Sequence, residues 1–297
     1  MKIAVTGSTG LVGSALVAHL ESSGHVVKRI VRRRDSADSD SVYWDPEAGM
    51  IEVDKLAGLD AAVHLAGENI AKRRWSKRQK ARILKSRVNG TRLLSATVAG
   101  LDPKPEVMVC ASAMGYYGDR CDEILTEDSG SGELFLSRVV RDWEAATTPA
   151  ADAGIRVVNL RLGLVVSGAG GAIRQMMLPF KLGLGGRVGS GRQWVSWIAM
   201  ADLVRLIQHC LTDRSLRGAV NAASPNPVTN RDLAQTLAKV LHRPAIMPLP
   251  SFVVRAALGQ MGEELLLSSA RLSPVKLVAS GFEFHSPDLE SALRREL

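Results

Sequence analysis

Cysteine is scarce in this sequence, whose 297 residues include only Cys110, Cys121 and Cys210. The three positions are far apart, and no two of them have the spacing of metal ligands. An odd number of separated cysteines also indicates no disulfide framework. The sequence therefore predicts a cytoplasmic protein, from a reducing compartment, without a bound metal.

Long apolar runs are absent as well. No segment approaches the roughly 20 apolar residues that a membrane-spanning helix needs. The first predicted strand begins at Lys2, so we expect no signal peptide. Hydrophobic residues make up 46% of the chain and charged residues 23%, which is typical of a globular protein with a sizeable core. These features predict a soluble, folded protein with no membrane partner.

Acidic residues are missing over one long stretch, between Glu68 and Asp102. The same stretch contains ten basic residues, which are Lys72, Arg73, Arg74, Lys77, Arg78, Lys80, Arg82, Lys85, Arg87 and Arg92. These ten exceed the net charge of +8, so the positive excess belongs to this stretch. Two interpretations are open. The stretch is either a nucleic-acid site, or a solvated helix face from which some of the basic residues bind cofactor phosphates. Because Trp75 is the only aromatic residue available for stacking on bases, nucleic acid is the less favoured partner.

Glycines are concentrated directly after the first strand, Lys2–Thr6. The turn reads Thr6-Gly7-Ser8-Thr9-Gly10-Leu11-Val12-Gly13, and it opens a predicted helix over Leu11–Ser22. Backbone N–H groups and the positive end of the helix dipole meet at such a turn and make it an anion site. The glycine spacing between a strand and a helix predicts that the anion is the pyrophosphate of a dinucleotide. A purely structural turn is the alternative.

The second predicted strand, Val26–Val31, ends in basic residues. NAD-binding proteins have an acid at this place for the ribose 2′-hydroxyl. This chain has Arg32-Arg33-Arg34 instead, and its first acid is Asp35. Guanidinium groups bind a 2′-phosphate through charge-assisted hydrogen bonds. The sequence therefore predicts NADP as the cofactor, and a solvated basic turn is the alternative.

Strands and helices continue to alternate along the chain. Strands are predicted near residues 61–65, 107–111, 155–160 and 219–222, and helices near 76–99, 134–151 and 201–212. This alternation predicts an α/β fold, a Rossmann-like doubly wound parallel sheet with a smaller C-terminal α/β region on the substrate side. We expect residues 1–165 to form the NADP-binding domain, rejoined by parts of 200–225. Residues 166–297 would then hold a glycine-rich substrate-side segment and a small domain at about 243–297.

Local signals predict three features near the C-terminus. Thr229 and Asp232 have the spacing of a capping box at the start of a helix. Residues 282–284 form a short predicted strand. Ser286 and Pro287 are a predicted N-cap and first-turn proline of the final helix.

The sequence resembles the extended short-chain dehydrogenase/reductase family over nearly its whole length, and more closely the atypical "epimerase family" branch, which is NAD-dependent epimerase/dehydratase-like. Besides the glycine turn, the resemblance rests on separated blocks: His64-Leu65-Ala66-Gly67-Glu68-Asn69-Ile70, Arg74-Trp75, Ser86-Arg87, Gly115-Tyr116-Tyr117-Gly118, Trp143-Glu144, Arg161-Leu162-Gly163, residues 179–186, residues 189–193, Trp197-Ile198, His242-Arg243-Pro244 and Gly281-Phe282. The resemblance implies NADP as cofactor. The candidate cofactor contacts are Gly7, Thr9, Gly10, Leu11, Val12, Gly13, Arg32, Arg33, Leu65, Ala66, Gly67, Glu68, Arg87, Ala111, Ser112 and Leu162.

The catalytic pair of that family is missing. Ordinary members use a Tyr as acid or base and a Lys four residues later that lowers the phenol's pKa. The residues four positions after Tyr43, Tyr116 and Tyr117 are Glu47, Arg120 and Cys121. Where the resemblance places the pair, this chain has Leu134 and Arg138. Leucine cannot move a proton, although a guanidinium group could still bind ribose hydroxyls.

Three residues remain as catalytic candidates. Ser112, at the end of its strand, stands where the family has the serine that orients a carbonyl, and a hydroxyl that satisfies local backbone groups is the alternative. Tyr116 or Tyr117 could be a displaced acid, and packing is the alternative for at least one of them. His64, in the preceding strand, is predicted to be a core residue.

These observations favour an NADP-dependent oxidoreductase or epimerase-like enzyme with a rearranged active site. The predicted substrate is a small polar molecule, acidic or a sugar nucleotide, bound between the sheet and residues 181–197. Arg187, Arg192 and Gln193 would meet it there. The alternative is a non-catalytic NADP(H)-binding protein whose cofactor orders a surface for a protein partner. The resemblance also implies a homodimer.

Overall fold

The structure is a computed structural model that describes residues 1–33 and 41–297. The strands are β1 (Lys2–Thr6), β2 (Val26–Val31), β3 (Val42–Asp45), β4 (Met50–Ile51), β5 (Ala61–His64), β6 (Val107–Ala113), β7 (Ile124–Leu125), β8 (Arg156–Leu162), β9 (Leu164–Val166), β10 (Trp194–Val195), β11 (Trp197–Ala199), β12 (Gly218–Ala222), β13 (Val228–Thr229) and β14 (Arg271–Leu272). The helices are α1 (Leu11–Ser22), α2 (Lys77–Ala99), α3 (Phe135–Ala145), α4 (Thr148–Asp152), α5 (Gly171–Lys181), α6 (Met200–Thr212), α7 (Asn230–Val240), α8 (Ser251–Leu258), α9 (Gln260–Gly262), α10 (Val275–Ala279) and α11 (Leu289–Glu296). A π-helical turn, Glu263–Leu267, follows α9.

A central sheet of eight strands organises the fold, in the order β12-β8-β6-β5-β1-β2-β3-β4. All neighbours pair in parallel except β3 and β4, which are antiparallel at the edge. The strand order reverses between β1 and β5, and ligands of doubly wound sheets bind at such a reversal. The predicted doubly wound parallel sheet is therefore confirmed.

Apolar residues cover both faces of this sheet, as parallel strands require. One face packs Ile3 and Val5 of β1 against α1 and α6, and the other packs Ala4 against α2 and α4. The side chains of a strand alternate between the faces, so Thr6 lies on the α2 face together with its register partner His64. Ser112, Arg161 and Asn221 are register partners across β6, β8 and β12, so they share one face.

A separate apolar cluster lies in the second half of the chain. It joins α5, α7 and α11 around the buried Trp197 of β11. A smaller cluster brings the buried Tyr117 next to Leu125 of β7 and Leu272 of β14. Strand β12 is nevertheless an edge strand of the central sheet. The domain division near residue 165 stays a prediction.

The structure corrects three local predictions. The helix expected over residues 134–151 is two helices, α3 and α4, with Pro149 in the first turn of α4. Residues 282–284 form no strand, and the rings of Phe282 and Phe284 pack edge to face at 5.0 Å. The final helix has Asp288 rather than Ser286 as its N-cap. The Ser286 N–H instead donates to the Asp202 carboxylate at 2.9 Å, which holds residue 286 outside the helix.

The capping box predicted at Thr229 and Asp232 is confirmed. The Asp232 N–H donates to Thr229 Oγ1, and the Thr229 N–H donates to the Asp232 carboxylate. This reciprocal pair satisfies two backbone donors at the start of α7. In residues 1–33 and 41–297, no helix has both the length and the apolar character needed to span a bilayer.

Candidate functional site

The glycine turn packs backbone against backbone at the reversal of the sheet. Gly7 has a φ of +69°, and a Cβ there would lie 2.8 Å from the Leu65 carbonyl carbon. A Cβ on Gly13 would lie 2.0 Å from the Gly7 oxygen. Gly10 is the N-cap of α1, without a side-chain cap bond and without an acid in the first helical turn. Among the described residues, the first turn of α1 therefore offers its N–H groups without an acid or a side-chain cap, and this arrangement suits a pyrophosphate.

Thr6 fastens the ends of β1 and β5 together. Its Oγ1 accepts the N–H groups of Leu65 at 3.2 Å and Ala66 at 3.3 Å, and it lies 2.7 Å from His64 Nδ1. Because Oγ1 already accepts twice, its own proton is directed at Nδ1. Burial, with a smaller repulsion from Arg87, lowers the pKa of His64 to about 3, so the ring is neutral. His64 is a buried core residue, as predicted, and its hydrogen bond orients the Thr6 hydroxyl.

Arg87 lies beneath that loop. It donates to the carbonyl oxygens of Glu68 at 3.1 Å and Ile83 at 3.3 Å, and its guanidinium carbon is 5.0 Å from the centre of the Trp143 ring. A Cβ on Gly67 would lie 3.4 Å from the same guanidinium. Burial lowers the pKa of Arg87 to about 10, against the opposing attraction of Glu68. Arg87 therefore keeps its charge at neutral pH, directly under the loop where the cofactor is predicted.

Other predicted cofactor contacts lie in or just after strands of the central sheet. Arg32 and Arg33 are exposed and follow β2, which is the neighbour of β1. Arg34 and Asp35, on which the NADP prediction also drew, lie outside the described residues. Ala111 and Leu162 pack around Trp143 at the ends of β6 and β8. Glu68 pairs with Arg82 at 3.2 Å.

The loop before α5 closes over the start of α1. A Cβ on Gly170 would lie 3.2 Å from a methyl carbon of Leu11, and one on Gly171 would lie 3.1 Å from the other methyl. Gly171 also has a φ of +71°, which favours glycine. The second half of the chain therefore contacts the glycine turn directly.

The Ser112 hydroxyl is part of a buried ionic network. Its Oγ donates to Glu144 Oε1 at 2.6 Å, and Arg161 donates to both oxygens of the same carboxylate at 2.9 Å. The Arg161 guanidinium also stacks on the ring of Tyr116, with 3.4 Å between its carbon and the ring centre. Burial disfavours the charge of Arg161, but the bonds with Glu144 raise its pKa above the ordinary value. The network ties β6, β8 and α3 together.

Tyr117 lies inside this network and is fully buried. Its hydroxyl is 2.7 Å from Asn221 Oδ1, to which it can donate, and it accepts from Arg161 at 3.0 Å. Burial raises the pKa of Tyr117 to about 12, against the opposing effect of Arg161. Its burial and its hydrogen bonds favour a structural role, and of the two candidate tyrosines only the half-buried Tyr116 has solvent access.

The start of α3 differs from what the missing catalytic pair would need. Leu134 is the N-cap of α3, and Arg138 is an exposed residue that donates to the Glu133 carbonyl. The cap is supplied from the distant π-helical turn, where the buried Glu264 accepts the N–H groups of Phe135 at 3.2 Å and Leu136 at 2.9 Å. Sequence reasoning missed Glu264, and the signal that could have found it is a helix that begins at a leucine with no polar N-cap.

Three residues were expected to meet the substrate. Gln193 is buried, and its amide donates to the carbonyl oxygens of Val188 and Leu266. Arg187 donates to the carbonyl oxygens of Gly189 and Ser190, so it shapes its own turn. Arg192 is exposed. No group of three potential metal-ligating side chains occurs in the part of the chain that the structure describes.

A parallel sheet wound in both directions from β1, with a glycine turn at the reversal, defines the class of Rossmann-like α/β proteins. The chain belongs to the NAD dependent epimerase/dehydratase family, whose model matches residues 3–223. A second model, a domain of unknown function (DUF1731), matches residues 249–296. The resemblance inferred from the sequence motifs is thereby confirmed.

Individual relatives agree with this assignment. The chain is 44% identical over 291 residues to epimerase family protein Mb2239 of Mycobacterium bovis, which covers 98% of this chain and 96% of the relative. The crystal structure of human epimerase family protein SDR39U1 (isoform2) with NADPH matches with a TM-score of 0.91 and 35% identity, over 100% of this chain and 99% of that one. UDP-glucose 4-epimerase of Thermotoga maritima with UDP-glucose matches with a TM-score of 0.78 over 100% and 97% of the chains, and its 18% identity supports the fold alone.

Proposed function

We propose that this chain is an NADP(H)-dependent oxidoreductase or epimerase-like enzyme of the atypical extended short-chain dehydrogenase/reductase type. The observation that carries the proposal is the glycine turn, whose helix N-terminus is free of acids and of a side-chain cap. NADP(H), when bound, supplies or accepts the hydride. The α1 N–H groups would hold its pyrophosphate, and Arg32 its 2′-phosphate. The human relative crystallised with NADPH supports this cofactor.

Arg87 would complete the cofactor site. It stays charged at neutral pH, and its position under Gly67 supports a role for its donors in cofactor binding. Its bonds to the Glu68 and Ile83 carbonyl oxygens fix the guanidinium before any ligand arrives. Such preorganisation reduces the entropy lost on binding. We therefore assign Arg87 to hydroxyl or phosphate oxygens of the cofactor.

The substrate we propose is a small polar molecule, and sugar nucleotides are the first class to test. Support comes from fold relatives such as the Thermotoga maritima enzyme, which was crystallised with UDP-glucose. The exposed Arg192 is the candidate contact for an acidic group. Among the three catalytic candidates, Tyr116 is the one we propose as proton donor, because Tyr117 is buried and the Ser112 proton is held by Glu144.

The alternative is a non-catalytic NADP(H)-dependent binding protein. It is favoured by Leu134 and Arg138, which stand where the family resemblance places the Tyr and Lys pair. In that case the cofactor is bound but not consumed, and it orders a surface for a protein partner. A cytoplasmic location and a homodimer are further proposals, the second testable by light scattering of the purified chain.

Thermal unfolding with NADPH, with NADH and without ligand tests the cofactor. At about a hundred times the dissociation constant, binding stabilises the protein by roughly 2.7 kcal/mol, which corresponds to a rise of several degrees. We expect the rise with NADPH at concentrations where NADH gives none. No rise with either nucleotide would refute the cofactor assignment.

Turnover separates the enzyme from the binding protein. NADPH oxidation and NADP reduction would be followed by absorbance with a panel of nucleotide sugars and small carbonyl compounds, and epimerisation by product analysis. Chemistry on at least one compound is expected. NADPH binding without chemistry on any of them, combined with a partner that binds only in its presence, would establish the alternative.

A further inference from the structure

A surface cavity of ≈ 160 Å³ lies at the start of α2, outside the glycine turn. It is lined by Arg73, Arg74, Ser76, Arg78, Gln79 and Arg82. Four of these six side chains carry a guanidinium group. Arg78 and Arg82 are four residues apart on α2, so they lie on the same side of the helix. Four arginines of the basic stretch seen in the sequence therefore line one concave surface.

The positive charge of this cavity is mostly unmatched. Glu68 is the neighbouring carboxylate, and it is already paired with Arg82 at 3.2 Å. Arg74 donates to the Ala256 carbonyl at 3.1 Å, a neutral acceptor. Within residues 1–33 and 41–297, Arg73 and Arg78 have no hydrogen-bond or ion-pair partner. Among the described residues, these four guanidinium groups therefore make one ion pair, between Arg82 and Glu68.

Guanidinium groups that line one cavity repel one another, and an anion between them removes the repulsion. A phosphate group suits the place because it carries up to two charges and several oxygens that accept paired guanidinium bonds. The N-terminus of the 23-residue helix α2 adds the positive end of its dipole, although Ser76 already accepts the Gln79 N–H there. The cavity combines these guanidinium groups with a concave surface on which an anion can lie.

The cavity is distinct from the predicted 2′-phosphate position. Arg32 follows β2, whereas the cavity is built from the segment that follows β5, and β1 lies between these two strands. Its rim also reaches the C-terminal region, because Arg74 contacts α8 and Lys80 contacts Gln260 of α9. An anion here would lie where both halves of the chain meet, beside Glu68 of the loop between β5 and α2.

We propose that this arginine cavity is a second anion site, which holds a phosphate group of a ligand other than the cofactor. The inference goes beyond the proposed oxidoreductase activity and does not require it. The probe is inorganic pyrophosphate, titrated calorimetrically into the full chain with and without saturating NADPH. The test variant is R73Q/R78Q, which removes the two unpaired guanidinium groups. The control variant is K85Q/R92Q, which removes the same charge from exposed positions of α2 outside the cavity.

We expect pyrophosphate to bind the wild type and K85Q/R92Q alike in the presence of NADPH, and R73Q/R78Q to bind it at least tenfold more weakly. Thermal unfolding of each variant verifies that it is folded. The NADPH dissociation constant is expected to stay within twofold of the wild-type value in R73Q/R78Q. If the cofactor does not bind at all, the titration without it still decides whether the cavity is an anion site.

Four outcomes would overturn the proposal. If pyrophosphate does not bind the wild type, the cavity is not an anion site. An equal loss of pyrophosphate affinity in R73Q/R78Q and K85Q/R92Q shows that only general surface charge is involved. Weakened NADPH binding with unchanged NADH binding in R73Q/R78Q assigns the cavity to the cofactor's 2′-phosphate. Tight, strongly salt-dependent binding of a short single-stranded RNA without any pyrophosphate binding assigns it to nucleic acid.

Discussion

The hydroxyl of Ser112 donates a 2.6 Å hydrogen bond to the carboxylate of Glu144. The serine ends β6 and is almost fully buried, while the glutamate lies on α3 and is also held by two bonds from Arg161. The serine proton is thereby directed at Glu144. Ser112 could therefore only accept a hydrogen bond from a substrate. These bonds hold the end of the sheet in one arrangement. A proton donated to a substrate must therefore come from another group.

Replacing Glu144 by Ala should strongly destabilise the protein. Arg161 is 4% exposed and would lose its carboxylate partner in a buried place. Breaking such a pair costs about 3–5 kcal/mol, measurable as a lower midpoint of urea unfolding. The control is E133A, because Glu133 is 82% exposed and pairs with Arg141 only at the surface. That control should change stability by less than about 1 kcal/mol. Equal effects of the two variants would contradict the buried network.

Replacing Arg32 by Gln should change cofactor preference. Loss of a charged hydrogen bond to a 2′-phosphate costs about 1.5–3 kcal/mol, so NADPH affinity should fall roughly 10- to 100-fold while NADH affinity stays unchanged. The control is R29Q on the same strand, where the exposed Arg29 pairs with Glu21. Fluorescence titration of NADPH and NADH measures both constants. An unchanged NADPH affinity in R32Q would assign the 2′-phosphate to other groups.

Replacing Gly13 by Ala should damage the glycine turn. The new methyl would lie 2.0 Å from the Gly7 carbonyl oxygen, so α1 must move away from the turn. Overpacking of this kind costs about 1–3 kcal/mol, and the NADPH-induced rise in unfolding temperature should disappear. Gly100 offers the control, because a Cβ there meets its nearest atom only at 3.6 Å. A G13A protein that binds NADPH normally would show that the turn does not position the pyrophosphate.

Acid should weaken the fold partly through His64. The pKa of this buried ring is lowered to about 3, from 6.5 in the unfolded chain. Between these values the unfolded state binds a proton that the folded state does not, so stability falls as the pH falls from 6.5 toward 3, by at most about 1.4 kcal/mol per pH unit. The H64N variant should have a flatter acid branch in urea unfolding across this window. The exposed His242 provides the comparison variant, H242N, and identical slopes in H64N and wild type would refute the assignment.

Much of the fold could be read from the residues because its signals are local. The glycine turn, the alternation of strands and helices and the capping box of Thr229 and Asp232 depend on short-range geometry, and the structure contains each of them. The final helix was placed wrongly because Asp202, far away in the chain, binds residue 286. The start of α3 was equally hidden, since its cap comes from Glu264. Partners so distant in sequence leave no periodic or spacing signal.

The residues alone were enough to recognise the strand-turn-helix motif with its predicted anion site, the basic stretch before and within α2, and the lack of a Tyr and Lys pair. These follow from residue identity and spacing along one segment. The folded chain was needed to show that Tyr117 is buried against Arg161 and Asn221, that Ser112 donates to Glu144, and that four arginines line one cavity. Those outcomes depend on which segments the sheet order brings together. A side chain's burial and partners are set by neighbours that sequence spacing does not specify.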